Sequence, residues 1–205
     1  MKVKTQERQD AIVQAASALF QEFGYEGASM NELAARMGGS KATLYRYFPS
    51  KEALFDAVVR SSSTSHLTQA AQQLPAAVES AAHLQRVLQR FGETLLRVMT
   101  DSQSAIAVYR MVIAEAGRSE VGELFYAAGP KEGIDALGAT LKTAMDAGTL
   151  RAGDPLVMAN YFLALVTAES ERRLFQRSPP PMSQSDIEAL VTAAVEMFLY
   201  GVLPR

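Results

Sequence analysis

From Thr5 to Gly24 the apolar side chains recur at one helical interval. Ile12, Ala15, Ala16, Leu19, Phe20 and Phe23 stand at i, i+3, i+4, i+7, i+8 and i+11, the spacing that lines one face of an α-helix and does not suit a strand. The same period returns in almost every later segment, and no run alternates apolar with polar residues between turn signals. The pattern predicts an all-α chain of about nine helices.

Capping and breaking residues divide the pattern. Thr5 can cap the first helix and Gly24 stops it. The run SMNE, Ser29 to Glu32, is a capping box: the Ser29 hydroxyl takes the Glu32 amide, the Glu32 carboxylate reaches back, and Leu33, Ala34 and Met37 form the buried face. Gly38-Gly39 ends that short helix. Ser40 caps a third through Leu44, Tyr45 and Phe48, and Pro49 ends it, because the residue before proline is pushed out of the α region. Ser50 caps a fourth, with Glu52 near its positive end. The polar stretch SSSTS after Arg60 reads as a frayed helix end or a joint between domains.

Further along, Leu84, Val87, Leu88, Phe91, Leu95, Val98 and Met99 make one stripe and predict a long helix over 83–99, with another over 104–117. A short helix around Leu124 and Phe125 is halted by Gly129-Pro130, and the next, over 131–147, stops at Gly148. Asp154-Pro155 is an N-cap followed by proline at the first helical position. The helix it opens is apolar on nearly every side from Leu156 to Val166, so two of its faces must be covered. SPPP at 178–181 breaks the chain before a last helix striped with Ile187, Leu190, Val191, Ala194, Phe198 and Leu199.

Composition removes several function classes. The 205 residues include no cysteine, which excludes disulfides, thiolate zinc sites and Cys nucleophiles. The opening MKVKTQERQD lacks the apolar segment of a secretory signal, and the densest apolar run, LVMANYFLAL, is about half a membrane span and contains Asn160. A cytoplasmic protein with no membrane partner is expected. His66 and His83 stand beside no hydrolase pattern and no metal-ligand set, so no catalytic residue, metal or cofactor is expected. Net charge is −2, yet residues 1–60 hold eight Lys/Arg against seven Asp/Glu. A DNA partner would have to be held by locally placed cations.

The second and third helices, joined around Gly38-Gly39, have the length and spacing of a helix-turn-helix, whose second helix enters the major groove. Leu44 and Phe48, four apart, face a three-helix core. Lys41, Thr43, Arg46 and Tyr47 fan outward with Ser40 at the helix start; positive helix N-termini, hydroxyls and cations are what phosphate oxygens select. On spacing alone, a small helical bundle with a solvated charged face stays open.

The stretch MNELAARMGGSKATLYRYFPSKEALFDAVV resembles the DNA-binding region of the TetR/AcrR family of transcriptional regulators, whose recognition helix and following helix commonly read G-x-S-K-x-T-L-Y-x-x-F-x-x-K-E-x-L. The likeness extends back through IVQAASALFQEFGYEGASM. It implies a DNA-binding domain over 1–60 and an effector-binding and dimerisation domain over 61–205. Carried over by position, Ser40, Lys41, Ala42, Thr43, Tyr45, Arg46 and Tyr47 become the operator contacts, joined by Ser29 at the start of the second helix and by Lys51 as a phosphate clamp. Two positions depart from the pattern. Gly39 stands where a β-branched residue is usual, which loosens the turn, and Ala42 stands where glycine is frequent, which adds a methyl where backbone approaches DNA.

The segment from YRMVIAEAGRSEVGELFYAAGPKEGIDAL through GTLRAGDPLVMANYFLALV is similar to the C-terminal domain of the AefR-like branch of that family. The resemblance implies a ligand-responsive repressor, released from a palindromic double-stranded DNA operator by a small-molecule effector. It also implies a homodimer formed by helices at 155–176 and 184–202, which gives the apolar helix from Leu156 its second cover. Met99, Tyr109, Met111, Phe125, Met145 and Phe162 offer the adaptable apolar surface of a broad-specificity pocket, and serve equally well as core. Glu115, which reads first as an ion pair with Arg110, and Asn160, which needs a partner in ligand, backbone or a second subunit, are the polar candidates. The rival class is a helical small-molecule carrier whose DNA-binding domain is vestigial.

Overall fold

The computed structural model describes residues 5–61, 70–101 and 103–203. Ten helices, and no strand, are bounded within the described residues: α1 (Gln6–Gly27), α2 (Met30–Arg36), α3 (Lys41–Tyr47), α4 (Lys51–Val59), α5 (Ala81–Asp101), α6 (Gln103–Glu115), α7 (Val121–Ala128), α8 (Pro130–Asp146), α9 (Pro155–Leu174) and α10 (Gln184–Val202). Most of the polar stretch after Ser61, and His66 beyond it, lie outside the described residues.

The caps explain why the helices begin where they do. Thr5, Ser29, Ser40, Ser50, Asp154 and Ser183 each turn a side-chain oxygen onto first-turn N–H groups, a bond worth about 1 kcal/mol apiece. The box at Ser29 closes on one side. The Glu32 N–H donates to Ser29 Oγ at 3.1 Å, while the Glu32 carboxylate accepts from Arg36 Nε at 3.2 Å, a charged donor one turn on. Gly38, at φ 59°, then ends α2: its N–H donates to the Ala35 carbonyl and that of Gly39 to the Ala34 carbonyl, a pairing that requires the left-handed conformation.

Packing groups the described residues into two compact units. One compact unit holds the described residues of 1–64 and 104–129, the other those of 65–103 and 130–205. The reason is a shared core. Val108, Met111 and Val112 on α6 and Val121 and Ala128 on α7 are buried with Ile12, Leu19, Phe20, Leu33, Leu44, Phe48 and Phe55 from the first four helices.

In the second unit α5, α8, α9 and α10 enclose Leu84, Leu88, Leu96, Leu137, Leu141, Phe162, Val191 and Val195 completely. Each such side chain contributes about 1.5–3 kcal/mol by leaving water. The Phe162 and Phe198 rings meet edge to face at 5.3 Å, the arrangement their quadrupoles favour. Helix α9 turns Met158, Ala159, Phe162 and Val166 inward and leaves Val157 and Tyr161 exposed. Among the described residues, no helix is long and apolar enough to cross a membrane.

Candidate nucleic-acid interface

The site is built on a kink. Gly24, at φ 73° and ψ 174°, interrupts α1, and the Tyr25 that follows drives its ring between Phe20 and Phe55, at centroid distances of 5.7 and 5.0 Å. Lys51, the first residue of α4, lays its ammonium over the Tyr25 ring at 4.3 Å and donates to the Glu26 carbonyl at 3.3 Å. The start of α4 is therefore tied to the end of α1. The Tyr25 hydroxyl donates to Glu52 Oε1 at 3.4 Å. Burial first, then the Glu52 charge, pushes the phenol above its ordinary range. Glu52 is held below the usual carboxylate value by its own backbone N–H, the Ser50 hydroxyl and Tyr25.

Above this anchor lies an open groove whose lining includes Ser29, Asn31, Lys41, Tyr45, Ser50 and Lys51, and also Glu52, whose carboxylate is engaged by Tyr25 and by its own helix start. It gathers the starts of α2 and α4 with two ammonium groups and a phenol. Capped helix starts carry partial positive charge, so the groove has the composition that attracts phosphate oxygens. Arg36 is spent elsewhere: it bridges Glu22 at 2.7 Å and Glu32 at 3.2 Å. Lys41 and Arg46 have no carboxylate partner among the described residues; they lie over the rings of Tyr45 and Tyr47 at 5.7 and 5.6 Å.

The other expected contacts sit on α3 or at its cap, outside the lining of that groove. Ala42 and Arg46 are exposed, and Thr43 is half-buried with its hydroxyl 3.0 Å from that of Ser40. Tyr47 lies at the edge of α3 facing α1. It is half-buried against the first unit's core, and its hydroxyl accepts from the Thr5 N–H at 3.3 Å. Burial pushes that phenol up, but hydrogen bonding from Thr5 and the nearby Arg46 outweigh it and hold it below the ordinary value. Tyr45 is the outward tyrosine, 39% exposed. Asn31 was not singled out by sequence; its place at the start of α2 beside the Ser29 cap is the signal that marks it.

The eight residues expected at an effector site divide between the units. Tyr109, Met111, Glu115 and Phe125 belong to the first, where the rings of Tyr109 and Phe125 lie 5.7 Å apart. Met99, Met145, Asn160 and Phe162 belong to the second, where Phe162 is enclosed by the core. Asn160 finds its partner in its own helix, donating to the Leu156 carbonyl at 2.8 Å. Glu115 accepts from the backbone N–H groups of Tyr25 and Glu26 at 2.8 and 3.1 Å. A cavity of about 220 Å³ in the second unit is lined instead by residues that include Leu74, His83, Arg90, Phe91 and Thr94.

A three-helix core, a glycine-turned helix pair and a groove of helix starts and lysines define a helix-turn-helix DNA-binding regulator. Known proteins agree. The family described as bacterial regulatory proteins, tetR family, matches residues 12–58, and the AefR-like transcriptional repressor C-terminal domain matches residues 86–201. The chain belongs to the TetR family of transcriptional regulators, with a C-terminal domain of the AefR-like kind. It is 45% identical to the HTH-type transcriptional regulator RutR of Escherichia coli K12 over 53 residues, which are 26% of this chain and 25% of that protein. Among solved structures, the flavonoid-responsive regulator FrrA is 32% identical with a TM-score of 0.75, over 98% of this chain and 100% of that one. A TetR family regulator from Pseudomonas syringae pv. tomato is 26% identical with a TM-score of 0.72, over the same shares.

Proposed function

We propose that this protein is a ligand-responsive repressor, acting in the cytoplasm, that holds a palindromic operator as a homodimer and is released by a small-molecule effector. The observation that carries this reading is the groove that gathers Ser29, Lys41, Tyr45, Ser50 and Lys51 beside the exposed face of α3. Ser29, Ser40, Lys41, Ala42, Thr43, Tyr45, Arg46, Tyr47 and Lys51 are its DNA-contacting set, and residues 1–60 its reading domain.

The homodimer is supported by apolar side chains left in solvent. Tyr161 on α9 and Met197 and Tyr200 on α10 are 64%, 65% and 93% exposed, on the two helices through which the family resemblance implies pairing. An aromatic effector is supported by the flavonoid response named for the 32%-identical FrrA.

A gel shift of the full chain against the DNA upstream of its own gene and its neighbours tests the reading. A retarded band that vanishes on adding an aromatic effector supports it. Binding of small molecules without retention of any duplex would favour the carrier class instead.

A further inference from the structure

Helix α6 ends on a carboxylate that does nothing for α6 itself. Both oxygens of Glu115 leave the helix for a turn ninety residues earlier: Oε1 accepts from the Tyr25 N–H at 2.8 Å and Oε2 from the Glu26 N–H at 3.1 Å. Those two N–H groups belong to the helical turn that follows the kink at Gly24. Gly24 suits this turn because its φ of 73° is one that side chains other than glycine avoid, and the Glu115 carboxylate sits where a Cβ would point.

What the carboxylate holds is the anchor of the DNA face. The carbonyl of Glu26 is the acceptor for Lys51 Nζ at 3.3 Å, and the Tyr25 ring is the surface on which that ammonium rests at 4.3 Å. The Ala28 N–H closes the same turn on the Gly24 carbonyl at 3.2 Å, and Ser29, the cap of α2, follows at once. Both fixed points of Lys51 thus belong to residues whose amides Glu115 grips. Charge-assisted bonds of this kind are about twice as strong as neutral ones.

We propose that Glu115 is a positioning residue for operator binding, setting Lys51 against the phosphate backbone through the Gly24–Glu26 turn. The proposal rests on the DNA-binding reading above, and Glu115 acts in it without touching DNA. The test uses the full chain and a duplex that it retains from a random-sequence pool. Anisotropy titrations compare wild type, Glu115→Gln, Glu115→Ala, Lys51→Ala and the Glu115→Ala/Lys51→Ala double variant, and hydrogen exchange follows the peptide from Phe23 to Ala28 in the absence of DNA.

Glu115→Ala should lower affinity about tenfold, the size of one lost charge-assisted contact. Glu115→Gln, which keeps one acceptor oxygen, should fall between it and wild type, and serves alone if the alanine variant does not fold. In the Lys51→Ala background the Glu115→Ala loss should shrink to about twofold, because the residue it positions is gone. Exchange in the Phe23 to Ala28 peptide should quicken in both Glu115 variants. Unchanged exchange there, unchanged affinity with only a lower melting temperature, or losses that multiply independently with Lys51→Ala each overturn the proposal. A wild-type chain that shows the protected peptide but retains no duplex overturns the repressor reading, and the positioning role with it.

Discussion

At the scale of single residues, Lys51 and the two tyrosines of α3 separate kinds of DNA contact. Lys51 has one of its three donors on the Glu26 carbonyl, which leaves two for a phosphate. Lys51→Ala should therefore weaken binding to every duplex alike and reduce the magnitude of the salt slope by about one; equal slopes across a salt titration would remove Lys51 from the contact set. Tyr45→Ala should weaken operator binding and leave the melting temperature within about 2 °C, since surface substitutions usually stay within ±0.5 kcal/mol. Tyr47→Ala should instead lower the melting temperature by about 4–8 °C, for a loss of about 2 kcal/mol from a chain of this length, because its ring packs on the core and its hydroxyl holds Thr5. A thermal melt of both variants beside one binding titration decides it. The inward turn of Leu44 and Phe48 was legible in the sequence from their spacing. That of Tyr47 was legible too, three residues from Leu44 and so on the same face, while its charged neighbours also put it among the proposed contacts.

At the scale of helices, start and stop signals were readable because they are local: a hydroxyl or carboxylate at the cap, a glycine at positive φ, a proline. What no local pattern carried was which helices share a core. Helices α6 and α7 follow α5 in sequence yet bury Val108, Val112 and Val121 with α1 and α4, and the grip of Glu115 on Tyr25 spans ninety residues. The effector candidates fall in both units, and a Met or Phe at helical spacing is the same signal whether it lines a pocket or a core. Phe162→Ala tests that ambiguity: enclosed and edge-on to Phe198, it should cost about 3–5 kcal/mol in denaturant unfolding. The all-round apolarity of α9 carries the other element-scale prediction. Met197→Glu on α10 would place an unpaired charge in the proposed subunit contact, at a cost of several kcal/mol. Sedimentation should then find a monomer of unchanged helix content, and a dimer of wild-type affinity would move the contact elsewhere.

At the scale of the whole molecule, a chain of net charge −2 gains little long-range attraction to DNA, so its affinity must come from correctly placed contacts and, in the proposed homodimer, from doubling them. A homodimer must offer its two recognition helices to successive major grooves, roughly 34 Å apart, and any change in that spacing weakens both half-sites together. An effector that binds the mispaced form better than the operator-bound form shifts the population without meeting a single base contact, and it can shift it only by its own difference in affinity for the two forms. Linkage makes this reciprocal: operator DNA must weaken effector binding by the same factor by which effector weakens operator binding, on the order of 5–150-fold for typical couplings. Calorimetric titration of an aromatic effector into the free chain, and into the chain saturated with its operator duplex, should give affinities that differ by that factor. The shift in operator affinity measured at saturating effector should equal it. Equal effector affinity in the two titrations would rule out release by this route and leave the DNA-binding assignment in place, since that rests on the groove at Lys51 and not on the effector.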